Sequence, residues 1–233
     1  MLVAVFHLTL YVQIFGKCGN MADLNQQLKV AFKNFACDMI LVGRNARREN
    51  LLHYACQHNL HFLIEPFVMQ GYALCQQDIE GHTALHVAII KGHDNCLKEF
   101  LRLFERCKCL HEDHPLKRNI VRLFFIYSHR GYTVLHEAVR DRGNIPFPYI
   151  RGMLEFALEL QLDFQDMEIL GSGDTLLHLI VQHNRLELAQ IVCQRIPELL
   201  ERPNYAGTVP MDVARITPEM QSLLKNAIYT GRK

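Results

Sequence analysis

The octet Gly81-His82-Thr83-Ala84-Leu85-His86-Val87-Ala88 decides how the rest of this sequence is interpreted. Its Leu-His pair returns as Leu52-His53, Leu135-His136 and Leu177-His178, and the four histidines lie 33, 50 and 42 residues apart. A fifth copy, residues 207–214, follows in register with Met-Asp in place of Leu-His. The gaps of 50 and 42 residues equal one 33-residue period plus insertions of 17 and 9 residues. Such a period predicts repeated units that must stack to bury their apolar faces.

Each copy predicts a turn, a short helix, a tight connection and a longer helix. Glycine suits the turn because it adopts left-handed backbone conformations easily. A threonine or asparagine stands where its side chain can cap the short helix, and Pro210 fits the first helical position of the last copy. The capping residues are Asn50, Thr83, Thr133 and Thr175, and the residues expected to break the short helices are Asn59, Gly92, Gly143 and Asn184.

The pattern Gly-x-Thr-x-Leu-His-x-Ala, repeated about every 33 residues, resembles the ankyrin repeat over residues 48–233. The resemblance implies an all-α ankyrin-repeat solenoid of about five helix-turn-helix repeats, with insertions after repeats two and three. The repeats are expected near residues 48–80, 81–113, 131–163, 173–205 and 207–233, preceded by a partial or capping helix in 21–47. Residues 1–20 begin with an apolar run, which leaves open a signal-like leader and a functional start at Met21.

Charge and cysteine content limit the possible partners. Lys and Arg number 25 against 24 Asp and Glu, so no global basic field favours direct binding of nucleic acid. Residues 1–151 nevertheless carry 18 basic and 13 acidic residues, whereas residues 152–233 carry 7 and 11. Eight cysteines in a chain too large to need disulfide bonds favour a reducing compartment. We therefore expect a cytoplasmic protein with no membrane partner. The nucleus is an alternative second location.

The repeated histidines are interpreted as structural. One histidine per repeat places them too far apart to share a metal ion, and a neutral imidazole can link a capping threonine to the backbone of the next unit. Catalytic residues, cofactors and a small-molecule substrate are not expected, because no nucleophile or phosphate-binding motif is present. The anchors of the repeat are then Leu52, His53, Leu85, His86, Leu135, His136, Leu177 and His178.

The first insertion carries two further hypotheses. Cys107, Cys109, His111 and His114 form a dense group of potential zinc ligands, although the Cys-x-Cys spacing is short and a solvated loop explains the same residues. The insertion is also basic, which raises nucleic-acid binding as an alternative to a solvated rim. We favour the rim, because the aromatic run 120–127 is expected to pack inward. The basic residues are Arg102, Arg106, Lys108, Lys117, Arg118, Arg122 and Arg130.

The long insertions and the amino-acid sequences of the repeats resemble those of the ankyrin domains of the IκB group. That group includes the inhibitory halves of Relish-type precursors and short IκB-like proteins of insects and their viruses. This resemblance implies a Rel-homology dimer as the partner, held by the concave face and turn tips, with its nuclear-localisation segment masked and DNA opposed at the acidic end. A generic ankyrin scaffold, a ubiquitin-ligase adaptor and a secreted or membrane-tethered ankyrin protein remain alternatives.

Two further observations refine that interpretation. No serine precedes Ser128, so the serine-based destruction signal of inducible IκB proteins is absent from these residues, as in a kinase-insensitive inhibitor or a fragment. An acidic stretch can meet a cationic surface: Glu155, Glu159, Asp163, Asp166, Glu168 and Asp174. Turn tips are the least constrained positions, and the candidate partner-binding residues there are Glu80, His82, Arg130, Tyr132, Glu168, Asp174 and Tyr205.

Overall fold

The computed structural model describes residues 44–69, 74–140 and 144–231, and the α-helices of these residues form stacked pairs. Within these ranges no strand occurs, so the predicted all-α solenoid is confirmed. The first helices of the pairs are α1 (Leu51–Gln57), α3 (Ala84–Lys91), α6 (Val134–Arg140) and α8 (Leu176–Gln182). The second helices are α2 (Ile64–Met69), α4 (Asp94–Lys108), α7 (Phe147–Glu159), α9 (Leu186–Arg195) and α10 (Pro218–Gly231), and α5 (Pro115–Leu123) lies in the first insertion.

The helix pairs pack in sequence order. Among the first helices, α1 contacts α3, α3 contacts α6 and α6 contacts α8. Among the second helices, α2 contacts α4, α4 contacts α7 and α9 contacts α10. The four repeat leucines occupy equivalent places in this stack, since each is at most 1 % exposed: Leu52, Leu85, Leu135 and Leu177.

The first helices begin and end where the sequence predicts. The side chain of Asn50 accepts a hydrogen bond from the backbone of His53, and Thr83 does the same for His86. After the helices, Asn59, Gly92 and Asn184 adopt positive φ angles of 55°, 65° and 52°. The predicted breaker Gly143 lies outside the described residues.

The two ends of the stack differ from the regular repeat. The expected leader, 1–20, and most of the expected capping helix lie outside the described residues, while residues 44–47 contain a turn at 46–47 and no helix. In the last copy the short helix is reduced to a 3-10 turn, Pro210–Asp212. Val209 occupies the capping position there and supplies no side-chain hydrogen bond, which explains why the helix does not extend.

The first insertion is part of the hydrophobic core. Ile120, Leu123 and Phe124 are fully buried, as the apolar run predicts. The ring of Phe124 lies 5.5 Å from that of Phe104 on α4 and 5.7 Å from that of Phe156 on α7, measured between centroids. The Phe104 and Phe156 rings stack at 4.7 Å. Helix α5 is therefore joined to the second helices of repeats two and three.

Candidate partner-binding surface

The turns between repeats form a continuous row, which we call the finger row. Each turn donates a backbone hydrogen bond to the turn before it. Ile79 N bonds to Arg47 O at 2.9 Å, and His129 N bonds to Glu80 O at 2.9 Å. Leu170 N bonds to Gly131 O at 3.1 Å, and Tyr205 N bonds to Ser172 O at 3.0 Å. These bonds fix the spacing of the turn tips along the molecule.

Glycine is required in the finger row for two reasons. Gly81 and Gly131 have φ angles of 78° and 79°, where residues with a Cβ are strained. The fingers also lie too close for a side chain, because a Cβ at Gly131 would lie 2.7 Å from Leu170 O, and one at Gly81 2.7 Å from His129 N. The regular spacing of the tips thus depends on the glycine of the repeat motif itself.

The fourth finger is longer than the others. In the second finger, Asp78 N bonds to His82 O, whereas in the fourth Ile169 N bonds to Asp174 O, one residue further along the chain. The extra residue comes from the second insertion, and Gly171 adopts a φ angle of 101°. Leu170 is 57 % exposed at the tip of this longer finger.

Apolar side chains at the tips are the feature that the sequence did not single out, apart from Tyr205. Ile79 is 51 % exposed, and Tyr205 is 70 % exposed. With Leu170, they place large apolar groups on three fingers of the same row. Only their position in the repeat could have identified them in the sequence. Ile79 and Tyr205 stand two residues before the glycine of their copies, and Leu170, in the longer finger, stands three residues before it.

The candidate residues differ in how freely they face solvent. Glu80 and Arg130 are exposed, and the Glu80 carboxylate pairs with Arg47 at 3.4 Å. Arg140 lies over the Tyr132 ring at 4.0 Å, which holds that ring half-buried against α6. Glu168 pairs with Arg202 and Asp174 accepts a hydrogen bond from Asn204, both at 2.6 Å, so these carboxylates brace neighbouring fingers.

The expectation that His82 is an exposed tip residue is wrong. The residue is 9 % exposed, and its backbone N–H donates to Asp78 Oδ1 at 2.8 Å. Its carbonyl accepts a hydrogen bond from His53 Nε2 of the previous repeat. It follows the finger glycine, where the chain already turns back into the stack, and so it belongs to the packing between repeats.

The repeat histidines bridge adjacent repeats. His86 Nδ1 accepts a hydrogen bond from Thr83 N at 3.2 Å, and His86 Nε2 lies 3.3 Å from Tyr132 O of the next repeat. His178 makes the same bridge to Thr208 O at 2.9 Å. An imidazole that accepts at Nδ1 and donates from Nε2 must be neutral, and burial accordingly lowers the pKa of His86 to about 3.

His136 departs from this bridge. Its Nδ1 accepts from Thr133 N at 3.2 Å, but its Nε2 has no hydrogen bond of regular geometry within the described residues. The equivalent carbonyl is Asp174 O, which accepts from Ile169 N as its counterparts accept from their own fingers, but which makes no regular hydrogen bond with His136 Nε2. Burial lowers the pKa of His136 to about 4, opposed by an interaction with the Met167 backbone.

The family follows from the finger row, the helix pairs and the comparison with known proteins. A model of "Ankyrin repeats (3 copies)" matches residues 27–113 and 52–147, which together make up more than half of the chain. The chain belongs to the ankyrin-repeat family. Its fold is that of an interaction module, in which the partner is set by the residues displayed on a common scaffold.

The chain is similar to two proteins that contain ankyrin repeats or an ankyrin repeat domain. It is 26% identical over 159 residues to the mouse nuclear factor NF-kappa-B p105 subunit, a match of 67% of the chain but only 14% of that protein. The crystal structure of the ankyrin repeat domain of Bcl-3, a unique member of the IkappaB protein family, aligns with a TM-score of 0.55. That alignment covers 89% of this chain and 94% of the Bcl-3 chain at 19% identity. The p105 match supports the resemblance to the IκB group, and the Bcl-3 alignment shows the shared ankyrin fold.

The metal hypothesis gains no support from the geometry of this ankyrin domain. Cys107 is fully buried in the last turn of α4, whereas Cys109 is exposed. His114 Nδ1 accepts the backbone N–H of Leu116 and caps α5, and the His111 side chain is 82 % exposed. In the described part of the chain no group of three or more His, Cys, Asp or Glu side chains is placed to hold a metal ion.

Many surface charges of the ankyrin domain are already paired. Of the basic residues in the first insertion, Lys117 pairs with Glu112 at 2.6 Å and Arg106 pairs with Glu65. In the acidic stretch, Glu155 pairs with Arg151 at 2.8 Å and Glu159 with Lys108. The acidic charge available to a basic partner is therefore smaller than the sequence suggests. Asp163, Asp166 and Asp174 are the members of the stretch without an ion pair among the described residues, and Asp174 accepts a hydrogen bond from the uncharged Asn204 amide.

Within the described residues, none of the helices has the length and apolar character needed to cross a bilayer.

Proposed function

We propose that this chain is an IκB-like inhibitor that binds Rel/NF-κB transcription factors and blocks their nuclear import or DNA binding. The observation that carries the proposal is the finger row, a series of bonded turns with exposed apolar tips in a chain similar to p105 and to the Bcl-3 ankyrin domain. Apolar side chains at fixed spacing, surrounded by polar groups, are typical of protein-interaction surfaces.

The inhibitor acts in the cytoplasm, with the nucleus as a second place of action. No Asp-Ser-Gly-x-x-Ser sequence occurs in these 233 residues, so stimulation does not trigger its loss through a serine signal of that type. The alternative function is that of a generic ankyrin scaffold with a partner unrelated to Rel factors. A scaffold of this kind need not compete with DNA.

A pull-down with purified Rel-homology dimers separates the two functions. The inhibitor must retain the dimers, and cognate duplex DNA must displace it in proportion to DNA concentration, because protein and DNA exclude each other. Duplex DNA of unrelated sequence at the same concentration is the control. Failure to retain any Rel-homology dimer, or a stable complex of dimer, DNA and this chain, would leave the scaffold function.

A further inference from the structure

A polar cleft separates the first two fingers from the inserted helix α5. Its volume is about 460 Å³. Arg44 and Arg48 come from the chain before α1, Arg122 comes from the last turn of α5, and His129 comes from the third finger. Gln76 and Asn119 also line it. The cleft exists because the 17-residue insertion places a helix beside the fingers.

The cleft carries positive charge that the protein does not neutralise. Within the described residues, Arg44, Arg48 and Arg122 make no ion pair, whereas Arg47, between two of them in the sequence, pairs with Glu49 and Glu80. Burial of the Cys75 thiol raises its pKa, and the positive charge of Arg122 opposes that shift. Three arginines therefore line one small volume, and none of them has an ion-pair partner among the described residues.

The carboxylate in the cleft lining does not cancel this charge. Asp78 is 5 % exposed, and its Oδ1 accepts hydrogen bonds from the backbone N–H groups of Glu80 and His82, both at 2.8 Å. Its Oδ2 lies 3.7 Å from His82 Nδ1. No ion pair joins Asp78 to Arg44, Arg48 or Arg122 among the described residues, and its single negative charge leaves an excess of positive charge in the cleft.

Hydrogen bonds hold the walls of the cleft in place. The Gln77 amide donates to Gly81 O and to Tyr127 O, each at 2.8 Å, and so joins the second finger to the segment after α5. Cys75 Sγ donates to Asn119 O at 3.2 Å, which joins the Cys75 side of the cleft to α5. A site whose walls are fixed before binding loses little conformational entropy when a ligand arrives.

We propose that this arginine cleft binds a short acidic peptide segment, whose carboxylates take the acceptor positions opposite Arg44, Arg48 and Arg122. Planar guanidinium groups bind carboxylates in two-point contacts, and the cleft has room for only a few residues. Nucleic acid fits less well, because no Phe, Tyr or Trp is among the described residues that line the cleft and could stack a base. The proposal does not depend on a Rel factor, since the apolar tips Ile79, Leu170 and Tyr205 are not among the described residues that line the cleft.

Fluorescence anisotropy of a labelled eight-residue peptide of alternating Glu and Gly tests the proposal on the full chain. We expect saturable binding that weakens as salt is raised, because exposed charge pairs are screened. The Arg48→Gln/Arg122→Gln variant is expected to weaken binding by about tenfold or more, since charge-assisted hydrogen bonds are lost. Circular dichroism establishes that each variant is folded.

The matched control is Arg118→Gln/Arg195→Gln, which removes the same charge outside the cleft. Two exposed arginines are changed, one on α5 and one at the end of α9. This variant must retain the affinity of the unmodified chain, and a Gln-Gly peptide must not bind. Equal losses in both variants, no binding of the Glu-Gly peptide, or tighter binding of a single-stranded oligonucleotide of equal charge would each overturn the proposal.

Discussion

At the scale of single residues, the stack depends on neutral histidines. The sequence predicted their role because Thr-x-Leu-His places the imidazole three residues after the cap, where Nδ1 can accept the cap N–H. It did not predict that His136 would lack the partner that His86 and His178 have. The finger that follows His136 is one residue longer than the others, and the local sequence around His136 does not reveal that difference.

The buried histidines predict acid sensitivity. The pKa of His86 is lowered to about 3 and that of His136 to about 4, whereas histidine in an unfolded chain titrates near 6.5. Between these values the unfolded chain binds protons that the folded chain does not. The free energy of unfolding must therefore fall as pH decreases below about 6.5, by up to about 1.4 kcal/mol per pH unit for each such histidine.

Urea unfolding at pH 7, 6 and 5 measures this dependence. His86→Gln is expected to reduce the slope of the unfolding free energy against pH by about one proton. His111→Gln is the control, since that side chain is 82 % exposed, and it should leave the slope unchanged. Stability that is constant from pH 7 to 5 would contradict the neutral, buried state of these imidazoles.

The finger glycines allow a matched comparison of close packing. Gly131 and Gly207 have φ angles of 79° and 78°, but a Cβ meets Leu170 only at Gly131 and has open space at Gly207. Both Gly→Ala variants carry the left-handed backbone cost of roughly 1–2 kcal/mol. Gly131→Ala should lose about 1–3 kcal/mol more, because the next finger must move. Equal losses in chemical denaturation would mean that the fingers are not held as closely as described.

At the scale of elements, the insertion was the hardest part to foresee. Its apolar run indicated inward packing, but a run of consecutive apolar residues does not show which of them faces the core. Phe124 is fully buried between Phe104 and Phe156, while its neighbour Phe125 is half-buried. The final repeat shows the opposite case, where Val209 at the cap position explains a short turn once the register is known.

Replacement of Phe124 tests whether the insertion belongs to the core. Phe124→Ala is expected to reduce the free energy of unfolding by about 3–5 kcal/mol, because a buried ring is removed from a packed cluster. Phe125→Ala should cost clearly less. Urea denaturation of both variants gives the comparison, and a small loss for Phe124→Ala would place α5 on the surface rather than in the stack.

At the scale of the whole molecule, the repeated motif made the fold predictable, whereas the pairing of surface charges and the arginine cleft were less predictable. Equivalent leucines and glycines recur with the repeat, so their roles follow from one copy. Ion pairs such as Lys108 with Glu159 join residues from different repeats, and they remove charge that a count along the sequence leaves in place. The arginine cleft likewise forms only when α5 approaches the fingers, and it could not be read from the spacing of Arg44, Arg48 and Arg122.

Two double variants test whether the partner binds to the finger row or to another surface of the molecule. Leu170→Ser/Tyr205→Ser changes two tips that are 57 % and 70 % exposed, and Met69→Ser/Tyr229→Ser changes two residues outside the row that are 56 % and 74 % exposed. The two double variants therefore remove similar apolar surface, and binding energy at interfaces is concentrated in such large side chains.

Isothermal titration of a Rel-homology dimer into the unmodified chain and these two variants is the most direct measurement. We expect the Leu170→Ser/Tyr205→Ser variant to lose at least about tenfold in affinity, and the Met69→Ser/Tyr229→Ser variant to bind like the unmodified chain. Equal affinity for all three proteins, or no heat of binding with the unmodified chain, would contradict the finger row as the surface that holds a Rel factor.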